Sequence, residues 1–203
     1  HSQPLPEQRP YISSPTSTPF GILFTDNYRS GLYLSSGSTV RTIVSSAGSG
    51  NNYTISNDRS LVGFKSIAEN GLQSPSVFDF ATGESRILHQ PVQRAGQVSF
   101  AANGAYAFSI GDSLVVVDGT NRTAYNLGNY ANLTPISPDG KYVAFNDKDD
   151  QMWILDLARI VRSRVSDQTL GYFSPIWDGK SERLLYSSLS GILKVYEIPS
   201  QST

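Results

Sequence analysis

The sequence predicts an all-β fold of five repeated units of about forty residues each. Three observations predict it. An aromatic at the end of an apolar run recurs as Phe24, Phe64, Phe108, Phe145 and Tyr186, at intervals of 40, 44, 37 and 41 residues. An acid closing the next apolar run recurs as Asp79, Asp118, Asp156 and, in the equivalent place, Glu197. The runs themselves are short, rich in β-branched and aromatic residues, and separated by Gly, Asn, Asp and Pro, which is strand patterning. Repeats of this length with several short strands apiece are the signature of β-propeller blades, four antiparallel strands to a blade.

The elements follow in chain order. Residues 1–18 hold four prolines without apolar periodicity and read as an extended arm preceding a propeller domain of residues 19–203. Within the arm, residues 9–14 offer one further strand: either the inner strand of the first unit or a strand swapped onto the last, since an open ring would expose sheet edges. The first unit, 19–48, contains Gly21-Ile-Leu-Phe24, Leu32-Tyr-Leu34 and an outer strand Val40–Val44. The second, 49–90, turns at Asn57-Asp58-Arg59 into Leu61–Phe64, then Val77–Phe80 and Ser85–Leu88. The third, 91–128, turns at Asn103-Gly104 into Ala105–Phe108, then Leu114–Asp118 and Thr123–Leu127.

The fourth unit, 129–169, is the clearest: Ser137-Pro-Asp-Gly-Lys-Tyr-Val-Ala-Phe145, then Met152-Trp-Ile-Leu-Asp156. In its turn, Pro138 presets φ, Asp139 bonds its own backbone and Gly140 accepts the left-handed conformation. Residues 157–164 read as an inserted helical turn before a loose outer strand at 164–166. The fifth unit, 170–203, turns at Trp177-Asp178-Gly179 into Arg183–Tyr186 and Leu193–Ile198 and lacks an outer strand.

The fourth-unit motif, with weaker copies in the second, third and fifth, resembles the repeat of TolB-type β-propellers over roughly residues 50–198. The resemblance implies a toroid whose ligands sit at the central channel or on one face. It also implies a periplasmic, cell-surface or secreted bacterial protein that binds a partner, a location that the absence of cysteine suits. The family's propeller has six blades and this chain offers five. The ring is therefore five-bladed, or the chain is a piece of a longer one.

Composition excludes several function classes. A formal net charge of −1 with 16% charged residues gives no basic face for nucleic acid. No apolar run reaches the length of a spanning helix. The chain has no cysteine, one internal histidine (His89, at an outer-strand end), no Gly-x-Ser-x-Gly elbow and no phosphate-binding loop, so no catalytic residue, metal site or cofactor is assigned. Asp139, Asp178 and the third-strand acids repeat with the blades and read as turn formers. Asp147-Lys-Asp-Asp150 reads as a solvated hairpin rather than a calcium loop.

What remains is a set of loop residues. Tyr28, Tyr130 and Tyr172 lie in connections, where rigid amphipathic rings suit a protein partner or a glycan. The hairpin loop 66–75 offers Ile67 and Leu72 flanking Glu69, and Arg29 and Asp112 occupy other turns. The leading expectation is a non-catalytic interaction module presenting loops on one face to a protein partner. A carbohydrate-binding propeller is the alternative. A glycan-active hydrolase or lyase, using Asp26, Glu69 or Asp112 with Arg29 or Arg94, is the third.

Overall fold

The structure is a computed structural model that describes residues 11–166, 169 and 174–198. Its five antiparallel sheets are arranged as the blades of a propeller, with no helix among the described residues. Blade 1 orders β1 (Ile12–Thr18), β2 (Gly21–Asp26), β3 (Leu32–Ser36) and β4 (Thr39–Val44) from inside outward. Blade 2 holds β5 (Thr54–Ile55), β6 (Leu61–Ile67), β7 (Gln73–Asp79) and β8 (Glu84–Ile87). Blade 3 holds β9 (Ser99–Phe100), β10 (Tyr106–Ile110), β11 (Ser113–Asp118) and β12 (Asn121–Asn126). Blade 4 has β13 (Tyr142–Asn146), β14 (Met152–Asp156) and β15 (Val161–Ser166), with a single Ile136–Val143 bridge as its inner strand. Blade 5 has β16 (Ile176–Trp177), β17 (Arg183–Ser187) and β18 (Leu193–Glu197).

Turn chemistry sets each meander. In blades 2, 3 and 4 a side-chain oxygen closes the first turn: Asp58 accepts from the Ser60 N–H, Asn103 from Ala105 and Asp139 from Lys141, at 3.1, 3.0 and 3.1 Å. One left-handed residue follows in each of these turns, Arg59, Gly104 or Gly140, at φ of 58°, 90° and 77°. In the fifth blade the register differs from the sequence expectation. Asp178 stands where Ser137 stands in blade 4, and Ser181 at φ 63°, not Gly179, takes the left-handed place. The third-strand acids Asp79 and Asp156 cap the next turn, accepting from Ala81 N–H at 2.8 Å and Ala158 N–H at 3.0 Å.

Period-two alternation assigns each strand two faces, and the blades stack face to face. The repeat aromatic always looks back at the preceding blade. Phe64 joins the core between blades 1 and 2, Phe108 that between 2 and 3, Phe145 that between 3 and 4, and Tyr186 that between 4 and 5. The residue just before it looks forward: Leu23, Ala107 and Ala144 are fully buried against blades 2, 4 and 5 respectively.

Three local expectations are revised. Of the two places offered for a strand at 9–14, the structure takes the inner strand of the first blade, and the strand, β1, runs from Ile12 to Thr18, through the C-terminal part of the expected arm. It pairs with β2 as the inner strand of blade 1, and Pro15 falls in a bulge between Ser13 and Thr16, where no ladder N–H is required. The inserted turn is shorter than expected, residues 157–160 alone: the Ile160 N–H donates to the Asp156 carbonyl at 2.9 Å, the Asp156 side chain accepts from the Ala158 and Arg159 N–H groups, and β15 already begins at Val161. The hairpin loop expected over 66–75 is shorter, because pairing runs on from Leu61–Asp79 to Ile67–Gln73, so only residues 68–72 turn.

Candidate binding face and channel

A four-stranded meander alternates its turns between two ends. The turns joining second to third strands share an end with the connections from each outer strand to the next inner strand. That end therefore gathers the hairpins at 27–31, 68–72, 111–112 and 147–151 together with the connections 45–53, 88–98 and 127–135. Tyr28, Arg29, Ile67, Glu69, Leu72, Asp112 and Tyr130 all map to it. Tyr172 lies outside the described residues.

Their surroundings differ. Tyr28, Arg29, Glu69 and Asp112 are exposed, whereas Ile67 and Leu72 are half-buried because the hairpin is tighter than expected. Arg29 has a left-handed backbone at φ 55° and donates to the Asn51 side-chain oxygen, tying blade 1 to the connection that follows it. Tyr130 is also half-buried. Its hydroxyl shares its proton between the Ala95 carbonyl and the Asn132 side-chain oxygen, both at 2.9 Å, and Arg94 lies over its ring at 5.8 Å. Burial pushes the Tyr130 phenol up, against the pull of the Arg94 charge.

Lys65, which the sequence reading passed over, completes this group. It sits near the end of β6, is buried, and donates from Nζ to the same Asn132 oxygen at 2.8 Å. Its partner is a neutral amide, and burial lowers its pKa from the ordinary 10.5. Gly96 lets the Ala131–Asn132 backbone approach: a Cβ there would lie 2.4 Å from Ser109 Oγ and 2.9 Å from the Ala131 carbonyl. A cavity of about 320 Å³ opens beside these residues, lined by Tyr130, Asn132, Leu133, Asn146, Asp147 and Asp150.

A second cavity, about 170 Å³, shares Leu133 with the first. Its walls are the starts of the inner strands: Asn52–Thr54, Gln97–Ser99, Leu133–Pro135 and Ser174, from blades 2 to 5. This is the central channel. Hydroxyls lace its wall, with Thr54 Oγ1 donating to the Val98 carbonyl at 2.6 Å and Ser99 Oγ to the Thr134 carbonyl at 2.6 Å. Trp177 Nε1 donates to the Pro135 carbonyl at 3.0 Å. Two lining residues are buried without a partner, among the described residues, for their side-chain polar atoms: both amide atoms of Gln97, and Thr134 Oγ1. A sequence signal existed in the triplets Asn52-Tyr-Thr54, Gln97-Val-Ser99 and Asn132-Leu-Thr134, each a carboxamide, an apolar residue and a hydroxyl, the last one residue out of register.

Of the acids weighed for catalysis, Glu69 and Asp112 are exposed and Asp26 is bound within its own turn. Asp26 accepts from the Ser30 N–H at 2.9 Å, from the Ser30 hydroxyl and from the Tyr33 hydroxyl at 3.3 Å. Burial works to raise its carboxyl, but these hydrogen bonds outweigh it and the pKa falls. Asp112 sits in the β10–β11 turn of another blade and accepts from Ser113 Oγ at 3.3 Å. Asp147 receives the Asp149 and Gln151 N–H groups and Trp153 Nε1, at 2.9, 3.0 and 2.9 Å, so its oxygens build the hairpin. His89 is a half-buried residue whose Nδ1 lies 2.8 Å from the Gln90 carbonyl. Among the described residues no group of three or more His, Asp or Glu is placed to hold a metal ion.

No protein-family model matches this sequence, and no curated protein does. Solved structures do. TolB from Acinetobacter baumannii matches with a TM-score of 0.70 at 19% identity, over 93% of this chain and 52% of that one. A protein assigned as TolB from Agrobacterium tumefaciens gives 0.66 at 16%, over 95% and 73%. The tricorn protease gives 0.54 at 15%, over 92% and 20%. This chain spans about half the length of the Acinetobacter protein. At such identities the likeness is one of architecture: over most of its length, this chain has the propeller fold of TolB proteins.

Proposed function

We propose that this propeller is a non-catalytic binding module of the bacterial envelope, which presents the hairpin end of the ring to a protein partner. The observation that carries this reading is the channel wall, where the Gln97 amide and the Thr134 hydroxyl are buried with no partner among the described residues. Such groups are costly to leave unpaired, and a carboxamide offers both a donor and an acceptor. They match a polar segment of a partner, such as a peptide amide, better than an apolar ligand. The adjoining cavity beside Tyr130 and Asn132 widens the approach, and exposed Tyr28, Arg29, Glu69 and Asp112 surround it on the same end. The turn-bound acids and the single internal histidine support the non-catalytic part.

Selecting peptides from a displayed library on the purified chain, and titrating the winners, tests this reading. Saturable binding weakened tenfold or more by Gln97→Leu or Thr134→Val, with Arg86→Ala at the opposite side of a blade as control, is the expected outcome. Turnover of a glycan that collapses in Asp26→Asn or Asp112→Asn overturns it, as does peptide binding indifferent to both channel variants.

A further inference from the structure

The residue that follows the repeat aromatic is short and neutral in four blades: Thr25, Ser109, Asn146 and Ser187. Three of these side chains bond a nearby carbonyl. Thr25 Oγ1 donates to Gly31 at 2.8 Å, Ser109 Oγ to Ala131, and Asn146 Nδ2 to Asp150 at 3.1 Å. Blade 2 places Lys65 there instead. The blade scaffold is therefore built without a charge at this position.

Lys65 is only 7% exposed, and among the described residues no carboxylate pairs with it. Its ammonium bonds the Asn132 side-chain oxygen, 67 positions on, in the connection between blades 3 and 4. The Tyr130 hydroxyl lies 2.9 Å from the same oxygen, so two donors converge on one neutral acceptor. Asn132 also joins the two cavities. It lines the larger one, and its carbonyl accepts at 2.8 Å from the N–H of Gln97, whose unpartnered amide lines the channel.

A buried ammonium destabilises the fold relative to an apolar residue of its volume unless an opposite charge offsets it. An ionised carboxylate is that charge, and its two oxygens accept several hydrogen bonds at once. Exposed Arg94, over the Tyr130 ring, adds a second cation beside the site. Of the two acids on the cavity wall, Asp147 is bound within its own hairpin, and Asp150 is exposed, where solvent and salt screen it. All of these residues belong to blades 2, 3 and 4 or to the connections between them. We propose that Lys65 selects the partner: it receives a carboxylate of the bound segment, from an acidic side chain or a chain terminus, which enters by the cavity beside Tyr130 and replaces Asn132 as acceptor of the ammonium. This assignment rests on the peptide-binding function proposed above and names the chemistry of the peptide.

Synthetic heptapeptides with random uncharged flanks test it, each made in three forms. One has a central Glu and an amidated C-terminus, one a central Gln and the amide, and one a central Gln and a free carboxylate. Titrated against the parent chain, one of the two carboxylate forms is expected to bind tenfold or more tighter than the neutral form, which identifies the source. In Lys65→Met and Lys65→Gln, with circular dichroism unchanged, that preference is expected to fall below twofold while the neutral form binds as before. A preference that survives both substitutions overturns the proposal, as does one lost in Arg94→Ala alone. Equal binding of all three forms, still weakened by Gln97→Leu or Thr134→Val, overturns it and leaves the peptide-binding function standing. Binding of none of them removes both.

Discussion

Lys65 is a buried ammonium whose hydrogen-bond partner is neutral, and its pH behaviour follows from that. Burial depresses its pKa in the native state below the ordinary 10.5. Between the depressed value and 10.5 the unfolded chain holds more protons than the folded one, so stability rises with pH across that window. Tyr53 and Tyr130 act oppositely at higher pH, because burial raises their phenols and the unfolded chain loses those protons first. Lys65→Met isolates the lysine. It is expected to exceed the parent by about 1 kcal/mol at pH 7, and the difference should shrink toward zero near pH 10.5. Paired urea titrations between the two pH values measure it. Phe145 is the opposite kind of residue, 2% exposed with Arg162 over its ring at 5.8 Å. Phe145→Ala should cost about 3–5 kcal/mol through the cavity it leaves, read as a lowered denaturant midpoint. The burial of Phe145 was legible from its forty-residue spacing, whereas that of Lys65 was not, since it depends on which neighbour lies above β6.

At the scale of the element, the first turn of blades 2 to 5 combines a side-chain cap with one left-handed residue. Glycine fills that place in blades 3 and 4, but blade 2 has Arg59. An L-residue there costs about 1–2 kcal/mol of backbone strain. Arg59 is exposed, and its guanidinium donates to the Ser17 carbonyl at 3.1 Å. Arg59→Gly is therefore expected to stabilise the chain by about 0.5–1 kcal/mol once the unfolded-state entropy of glycine is counted, read as a raised thermal midpoint. The cap itself is testable by acid. Burial works to raise the Asp139 carboxyl, but hydrogen bonds from Ser137, Lys141 and Ser181 prevail and hold it below the ordinary 3.8. Its contribution is complete above pH 3.8 and fades as pH falls through the lowered native value. Asp139→Ala should cost about 1 kcal/mol at pH 7 and progressively less in that acid range, followed by unfolding at several pH values. The same logic shows where local reading failed: the Asp-Gly dipeptide at 178–179 looks like the blade 4 turn, but strand pairing sets the register two residues later, at Ser181.

For the whole molecule, stacked repeats make stability a matter of neighbours. Blades 2, 3 and 4 are packed on both faces, while blade 5 packs on blade 4 alone among the described residues, through the cluster of Ala144, Met152, Ile154, Leu184 and Tyr186, the stacked Tyr142 and Trp177 rings and hydrogen bonds from Trp177 and to Ser181. Amide exchange under dilute, monomeric conditions should accordingly be fastest in β16–β18 and slowest in β10 and β13, by a factor of ten or more. Equal protection in all five blades would show that the ends are sealed as tightly as the middle.

The sequence by itself determined the all-β class, the repeat of about forty residues, the capped turns and the buried aromatics. All of these are local: alternation, turn residues and spacing act within one hairpin. It also placed Tyr28, Arg29, Glu69, Asp112 and Tyr130 in loops of one kind. Only the tertiary structure decided that those loops share one end of the ring, which of its two possible places the strand from the proline-bearing arm takes, and that Gln97, Thr134 and Lys65 are buried. Each of these depends on inner strands from different blades meeting around an axis. The partner of Lys65 lies 67 positions away, and residues 52–54, 133–135 and 174 that line the cavity with Gln97 come from other blades, through stacking that no single unit encodes.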